Sequence, residues 1–94
     1  MNSQSYIEKH GPNIETALSE IKAELLRSKT LFPAEFVNQH EAIAVLREEY
    51  LELEQECFKN QKNYDLAAQR KEAVQVAAMA LRFIVELTEQ NTNA

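Results

Sequence analysis

Apolar positions recur at helical spacing in three stretches of the chain, and no stretch alternates with the two-residue period of a strand. Ile14, Ala17, Leu18, Ile21 and Leu25 form a stripe that predicts a first helix reaching about Lys29. Residues 1–12 read as a polar lead-in closed by Gly11-Pro12, with Gly11 or Asn13 as the helix cap. Thr30-Leu31-Phe32-Pro33 ends this helix, because a residue before proline avoids the α region. Phe32 and Phe36 are expected to tuck the connector onto the core. Asn38 followed by Glu41 reads as a capping box that opens a second helix running to about Phe58. A polar connector, with Asn63 or Asp65 as cap, leads into a third helix from Leu66 to about Glu89, and residues 90–94 are expected to fray.

The faces of these helices carry more information than their bounds. At about 100° per residue, Glu41, Glu48, Glu49, Glu52 and Glu56 share an arc of roughly 100° interrupted only by Val45. Ala42, Ile43, Leu46, Tyr50, Leu53 and Cys57 occupy the neighbouring arc. The acids therefore sit on the shoulder of the apolar stripe, where a second helix brings further ligands, rather than opposite it as on a merely solvated face. Glu54 lies off the cluster. On the third helix the polar arc is narrow and holds Lys71, Glu72, Gln75, Met79, Arg82, Glu86 and Glu89. Its apolar residues spread over roughly 220°, about twice what a surface helix needs. That width predicts a homo-oligomer, most simply a dimer. The interface is expected on Val76, Ala80, Phe83 and Leu87, or on Val74, Leu81 and Val85.

Ninety-four residues with one glycine and two prolines suit one all-α domain over 1–94, three main helices in a bundle completed by oligomerisation. His40–Glu56 contains six glutamates and one arginine, a balance of −5 that equals the formal charge of the whole chain. The basic residues are scattered, which argues against a nucleic-acid backbone as partner. A single cysteine, Cys57, cannot form an intrachain disulfide, and a cytoplasmic setting is the simpler one. No secretory leader and no membrane span is expected.

Glu49 and Glu52 lie one turn apart on a shared face, and Glu72 and Gln75 repeat that spacing on the third helix. An antiparallel hairpin of the two helices would converge three carboxylates and an amide oxygen. That is an oxygen-ligand set suited to Mg²⁺ or Mn²⁺, hard cations that bridge carboxylates to phosphates. Lys71 and Arg82 share the arc of Glu72. They would bind phosphate or pair with Glu72 and Glu86, the second pair being ready-made at i, i+4. Each feature also has a plainer reading: solvation for the glutamates, helix capping for Glu41, core packing for Met79 and Phe83.

Glu48-Glu49-Tyr50-Leu51-Glu52, followed after nineteen residues by Glu72-Ala73-Val74-Gln75, resembles the EExxE…ExxD signature of the MazG-like all-α nucleoside triphosphate pyrophosphohydrolases. Lys71 to Phe83, KEAVQVAAMALRF, together with His40-Glu41 and Glu48-Glu49, is similar to a group of short bacterial and phage MazG-like proteins. The likeness spans roughly residues 14–87. It implies a usually oligomeric helical fold that hydrolyses a (d)NTP to (d)NMP and pyrophosphate with Mg²⁺. By the same resemblance Glu49, Glu52 and Glu72 are metal ligands, Gln75 takes the fourth ligand position, and Glu48 joins the acidic catalytic set. The family's fourth ligand is normally aspartate, and an amide oxygen brings no charge. Leu51 also departs from the short group, where aspartate is frequent. The alternative, which Gln75 favours, is a catalytically inactive helical dimer that works by binding another protein.

Overall fold

The computed structural model describes residues 2–89, apart from the side chain of Gln61; the expected frayed tail at 90–94 lies outside them. Three α-helices carry the chain: α1 Ser3–Leu31, α2 Gln39–Cys57 and α3 Leu66–Phe83. A 3₁₀ turn at Gln61–Asn63 precedes α3, and a π-helical turn at Ile84–Thr88 continues it. No strand occurs among the described residues, so the all-α expectation holds. α3 is the central element. It packs against α2 on one side and α1 on the other, while α1 and α2 scarcely meet.

The caps explain where the helices start. Asn38 Oδ1 accepts the Glu41 N–H at 3.0 Å, and Glu41 reaches back to accept the Val37 N–H at 3.2 Å. Asp65, rather than Asn63, caps α3, its Oδ1 accepting the N–H groups of Ala67 at 3.0 Å and Ala68 at 3.1 Å. The start of α1 corrects the sequence reading. Residues 3–12 are not a lead-in: the helix begins at Ser3, capped by Asn2, whose Oδ1 accepts the Ser5 N–H at 2.8 Å. Gly11 and Pro12 lie inside it. Proline removes one helical hydrogen bond, to the Glu8 carbonyl, but Glu8 and Pro12 are exposed, so water can replace that partner.

The buried core is small: Phe36, Ala42, Ala78, Met79 and Arg82. Ala42 and Ala78 are 1% and 0% exposed, as expected where small side chains let α2 and α3 approach closely. Phe36 docks as expected, but Phe32 remains 69% exposed. The apolar stripe of α2 is likewise only partly covered, with Ile43, Tyr50 and Cys57 exposed. On α3 and its extension, Val74, Val76, Ala80, Leu81, Phe83 and Leu87 are half-buried and Val85 is exposed.

An ionic clasp closes the bundle at the α1–α2 connector. Glu86 accepts from the Phe36 N–H at 2.8 Å, Lys29 Nζ at 3.0 Å and Arg82 Nε at 3.1 Å. Arg82 and Lys29 each donate to the Ala34 carbonyl at 2.9 Å. The Arg82 guanidinium lies 3.7 Å from the centre of the Phe36 ring, a cation–π contact. Burial alone would raise the Glu86 carboxyl, but the Phe36 N–H, Lys29 and Arg82 outweigh it and hold that carboxyl below the usual range.

Candidate metal centre

The α2–α3 hairpin brings together the residues that the sequence paired. One carboxylate oxygen each from Glu49, Glu52 and Glu72 lie within 4.8 Å of one another. The Gln75 side chain sits among them. With its NH₂ turned toward the acids, it donates to Glu49 Oε2 at 3.2 Å and Glu72 Oε2 at 2.9 Å. Gln75 thus faces the cluster, and its amide can present nitrogen to the bare acids or oxygen to a cation.

This chemistry fits an oxygen-liganded divalent ion. Octahedral Mg²⁺ holds oxygens at about 2.0–2.1 Å, so two of its ligands stand no more than about 4.2 Å apart. Of three ligands at most one pair is opposite, and the others are adjacent, about 2.9 Å apart. Oxygens that lie within 4.8 Å of one another must therefore close by up to about 2 Å through their side-chain torsions. Their electrostatics also fit. Partial burial raises the Glu49 carboxyl above its usual range, and the charges of Glu52, Glu72 and Glu24 raise it further. Burial and the Glu52 charge raise Glu72 as well, against a smaller opposing pull from Lys71. Crowded acids that hold protons too readily would be relieved by a bound cation.

Sequence reasoning missed one contributor. Glu24, on α1, approaches Glu49 closely enough for its charge to be felt there. The Arg27 guanidinium, which pairs with Glu24 at 2.7 Å, holds the Glu24 carboxyl below its usual range. The available signal was an acid and a base at i, i+3 flanking the apolar stripe at Ile21 and Leu25, a pattern equally common on solvated helices.

Beside the acids, a cavity of about 440 Å³ opens between α1, the connector, α2 and α3. Phe32, Phe36, Val45 and Met79 supply its apolar lining, while Glu24, Arg27, Glu41, Glu48, Glu49, Gln75 and Arg82 supply polar groups. Its size suits a small organic ligand. Glu49 and Gln75 belong to both the acidic cluster and this lining. Glu48 lines the cavity outside the three-carboxylate cluster. Lys71 is exposed, whereas Arg82 is buried and engaged by Glu86, Ala34 and Phe36. Of the two expected phosphate ligands, Lys71 is therefore the freer. Glu56 pairs with Lys59 at 2.7 Å. Met79 is core and cavity wall at once.

No protein-family model, no curated protein and no solved structure matches this chain.

The raised carboxyls carry a stability consequence. A group whose folded pKa is raised contributes stability that is full in acid and lost as pH rises through the folded value. Ionised Glu49 thus weighs against the fold at neutral pH. Glu49→Gln is expected to raise the metal-free melting temperature at pH 7 by about 2–5 °C, the worth of relieving two or three like-charge contacts. The gain should shrink toward pH 4. Melting curves across that range check it; an unchanged or lower melting temperature at pH 7 would show that the acids do not repel one another.

Proposed function

We propose that the protein is a Mg²⁺-dependent nucleoside triphosphate pyrophosphohydrolase, a cytoplasmic MazG-like enzyme that converts a (d)NTP to the monophosphate and pyrophosphate. The observation that supports this reading best is the meeting of Glu49, Glu52, Glu72 and Gln75 at the edge of a part-apolar cavity. Isolated acidic faces are commonplace; an acidic cluster sharing residues with a cavity of ligand size is less so. Glu49, Glu52 and Glu72 would hold the ion, with Gln75 as a neutral fourth ligand through its amide oxygen. When bound, Mg²⁺ would neutralise phosphate charge and acidify a water.

The remaining roles fall to the chain's own groups. Phe36, Met79 and Val45 offer a base an apolar surface from which water is excluded. The carboxylate oxygens of Glu41 and Glu48, which line the cavity, would accept hydrogen bonds from a base or sugar edge. Exposed Lys71, next to Glu72 in sequence, can swing its ammonium toward the outgoing pyrophosphate. Arg82 acts at a distance from phosphate: by stacking on Phe36 it holds the cavity wall in place.

One observation favours a second reading. With its NH₂ toward the acids, Gln75 satisfies Glu49 and Glu72 with no cation at all. A chain that has exchanged a charged ligand for such an amide could retain the fold and work by binding another protein. A panel of NTPs and dNTPs assayed for pyrophosphate release with Mg²⁺ and Mn²⁺ separates the two. Release of pyrophosphate and monophosphate from at least one nucleotide is expected, and no turnover with any of them selects the second reading.

A further inference from the structure

We propose that the cavity beside the acidic cluster selects guanine, with the Glu48 carboxylate reading the N1–H and the 2-amino group of the base. The inference rests on the nucleotide reading above and narrows its substrate to a guanine nucleotide. Glu41, Val45, Glu48 and Glu49 line the cavity from α2, at spacings of four and three residues that keep them on one side of the helix. Glu48 and Glu49 are neighbours in sequence, so their side chains diverge by about 100°. Glu49 joins the acidic cluster, whereas Glu48 lines the cavity only.

The polar groups of the wall differ in what they can still bind. Of its four glutamates, three are engaged. Arg27 Nε and Nη2 hold Glu24 at 2.7 and 2.9 Å. Glu41 accepts the Val37 N–H at 3.2 Å, and Glu49 faces Glu52, Glu72 and Gln75. Glu48 has neither a hydrogen-bond nor an ionic partner among the described residues. Its two oxygens are open acceptors beside an apolar lining. The donors of the wall are mostly engaged too: Arg82 on Glu86 and Ala34, Ser28 on the Leu25 carbonyl. Arg27 keeps one, since Nη1 has no protein partner among the described residues.

A carboxylate offers two acceptors side by side and no donor. Among the common nucleobases only guanine carries two adjacent donors, N1–H and the 2-amino group, on its Watson–Crick edge. Adenine and cytosine set one amino group beside a ring-nitrogen acceptor, and uracil and thymine set one N–H between two carbonyls. Each of these brings an acceptor against one Glu48 oxygen, and an unmatched polar contact away from water is costly. The remaining group of the guanine edge, O6, is an acceptor that suits an arginine N–H, which Arg27 supplies. Phe32, also part of the lining and 69% exposed, offers an uncovered ring on which a base stacks.

Titrating the full chain with GMP, IMP, AMP, CMP and UMP, followed by NMR chemical shifts with and without Mg²⁺, tests this selection without requiring turnover. IMP is the closest control, because its base lacks only the 2-amino group. GMP is expected to bind about five- to tenfold more tightly than IMP, the worth of one hydrogen bond, and more tightly than the other three. Glu48→Gln exchanges one acceptor for a donor. It should bring GMP and IMP within about twofold of each other and favour AMP, whose amino group and ring nitrogen complement an amide. Glu48 is exposed, so far-UV circular dichroism should show full helicity in the variant. Equal affinity of wild type for GMP and IMP, tighter binding of another base, no binding of GMP, or a preference that survives Glu48→Gln overturns the proposal. Pyrophosphate release from another nucleotide would still stand in those cases. Conversely, GMP selection without turnover of any triphosphate overturns the hydrolase reading and leaves guanine recognition in place.

Discussion

Glu86→Ala is expected to lower the melting temperature by about 12–25 °C, more than any other single truncation considered above. Glu86 is 6% exposed in its side chain and Arg82 10%, so water screens their contact little. Removing the carboxylate leaves Arg82 buried beside no anion, deprives the Phe36 N–H of its acceptor and frees Lys29. Breaking a buried pair from one side costs about 3–5 kcal/mol, and a domain of this length, near the upper end of the small-domain range, loses about 4–5 °C per kcal/mol. Glu86→Gln keeps an acceptor for the Phe36 N–H but not the charge, and should fall between. The pH dependence has a definite sign. A carboxyl whose folded pKa is depressed stabilises above its unfolded pKa, and that contribution is lost as pH falls through the folded value. Wild type should therefore lose its advantage over Glu86→Ala in acid. A drop smaller than about 5 °C at pH 7 would mean that the clasp is dispensable.

The second large effect concerns the metal centre. Glu72→Gln should weaken Mg²⁺ binding at least about tenfold, the low end of what losing a mere outer-shell partner costs, and should reduce pyrophosphate release as well. At an effective dielectric near 20 a unit charge about 4 Å from an ion is worth about 4 kcal/mol per charge before desolvation; most of that is spent on dehydration. The converse change is expected at Gln75. Gln75→Asp supplies the charge that the amide lacks and should tighten Mg²⁺ several-fold, with a lower metal-free melting temperature. Aspartate is one methylene shorter, and Gln75→Glu preserves the reach that already brings the amide to 2.9 Å from Glu72. Calorimetric Mg²⁺ titrations beside the nucleotide assay read both. If Glu72→Gln leaves binding and turnover unchanged, the three carboxylates hold no catalytic ion.

How far the sequence led depended on whether a feature was local. Asn38, Glu41 and Asp65 could be read because a cap is satisfied within three or four residues. The meeting of Glu49 and Glu52 with Glu72 and Gln75 required one tertiary assumption, an antiparallel hairpin in which the polar arc of α3 faces the acidic shoulder of α2. Glu24 was hidden because its approach depends on how α1 crosses α3, which no spacing within α1 encodes. Pro12 misled for the opposite reason. Its cost is local and real, but an exposed helix turn absorbs it. Phe32 and Phe36 looked alike in the connector, and only the partners of position 36, Arg82 and Glu86, distinguish them.

The clasp also bears on how long a native molecule lives. Its bonds join position 36 to position 86 and position 34 to position 82, separations of 50 and 48 residues. Closing a flexible loop of that length costs about 3–4 kcal/mol of chain entropy, so these contacts form after the helix hairpins have shortened the path. Interactions absent from the transition state act on the exit from the native basin rather than on the entry. The clasp is therefore a latch on unfolding. Chevron kinetics should show its loss almost wholly as faster unfolding; a comparable slowing of refolding would place it in the nucleus instead.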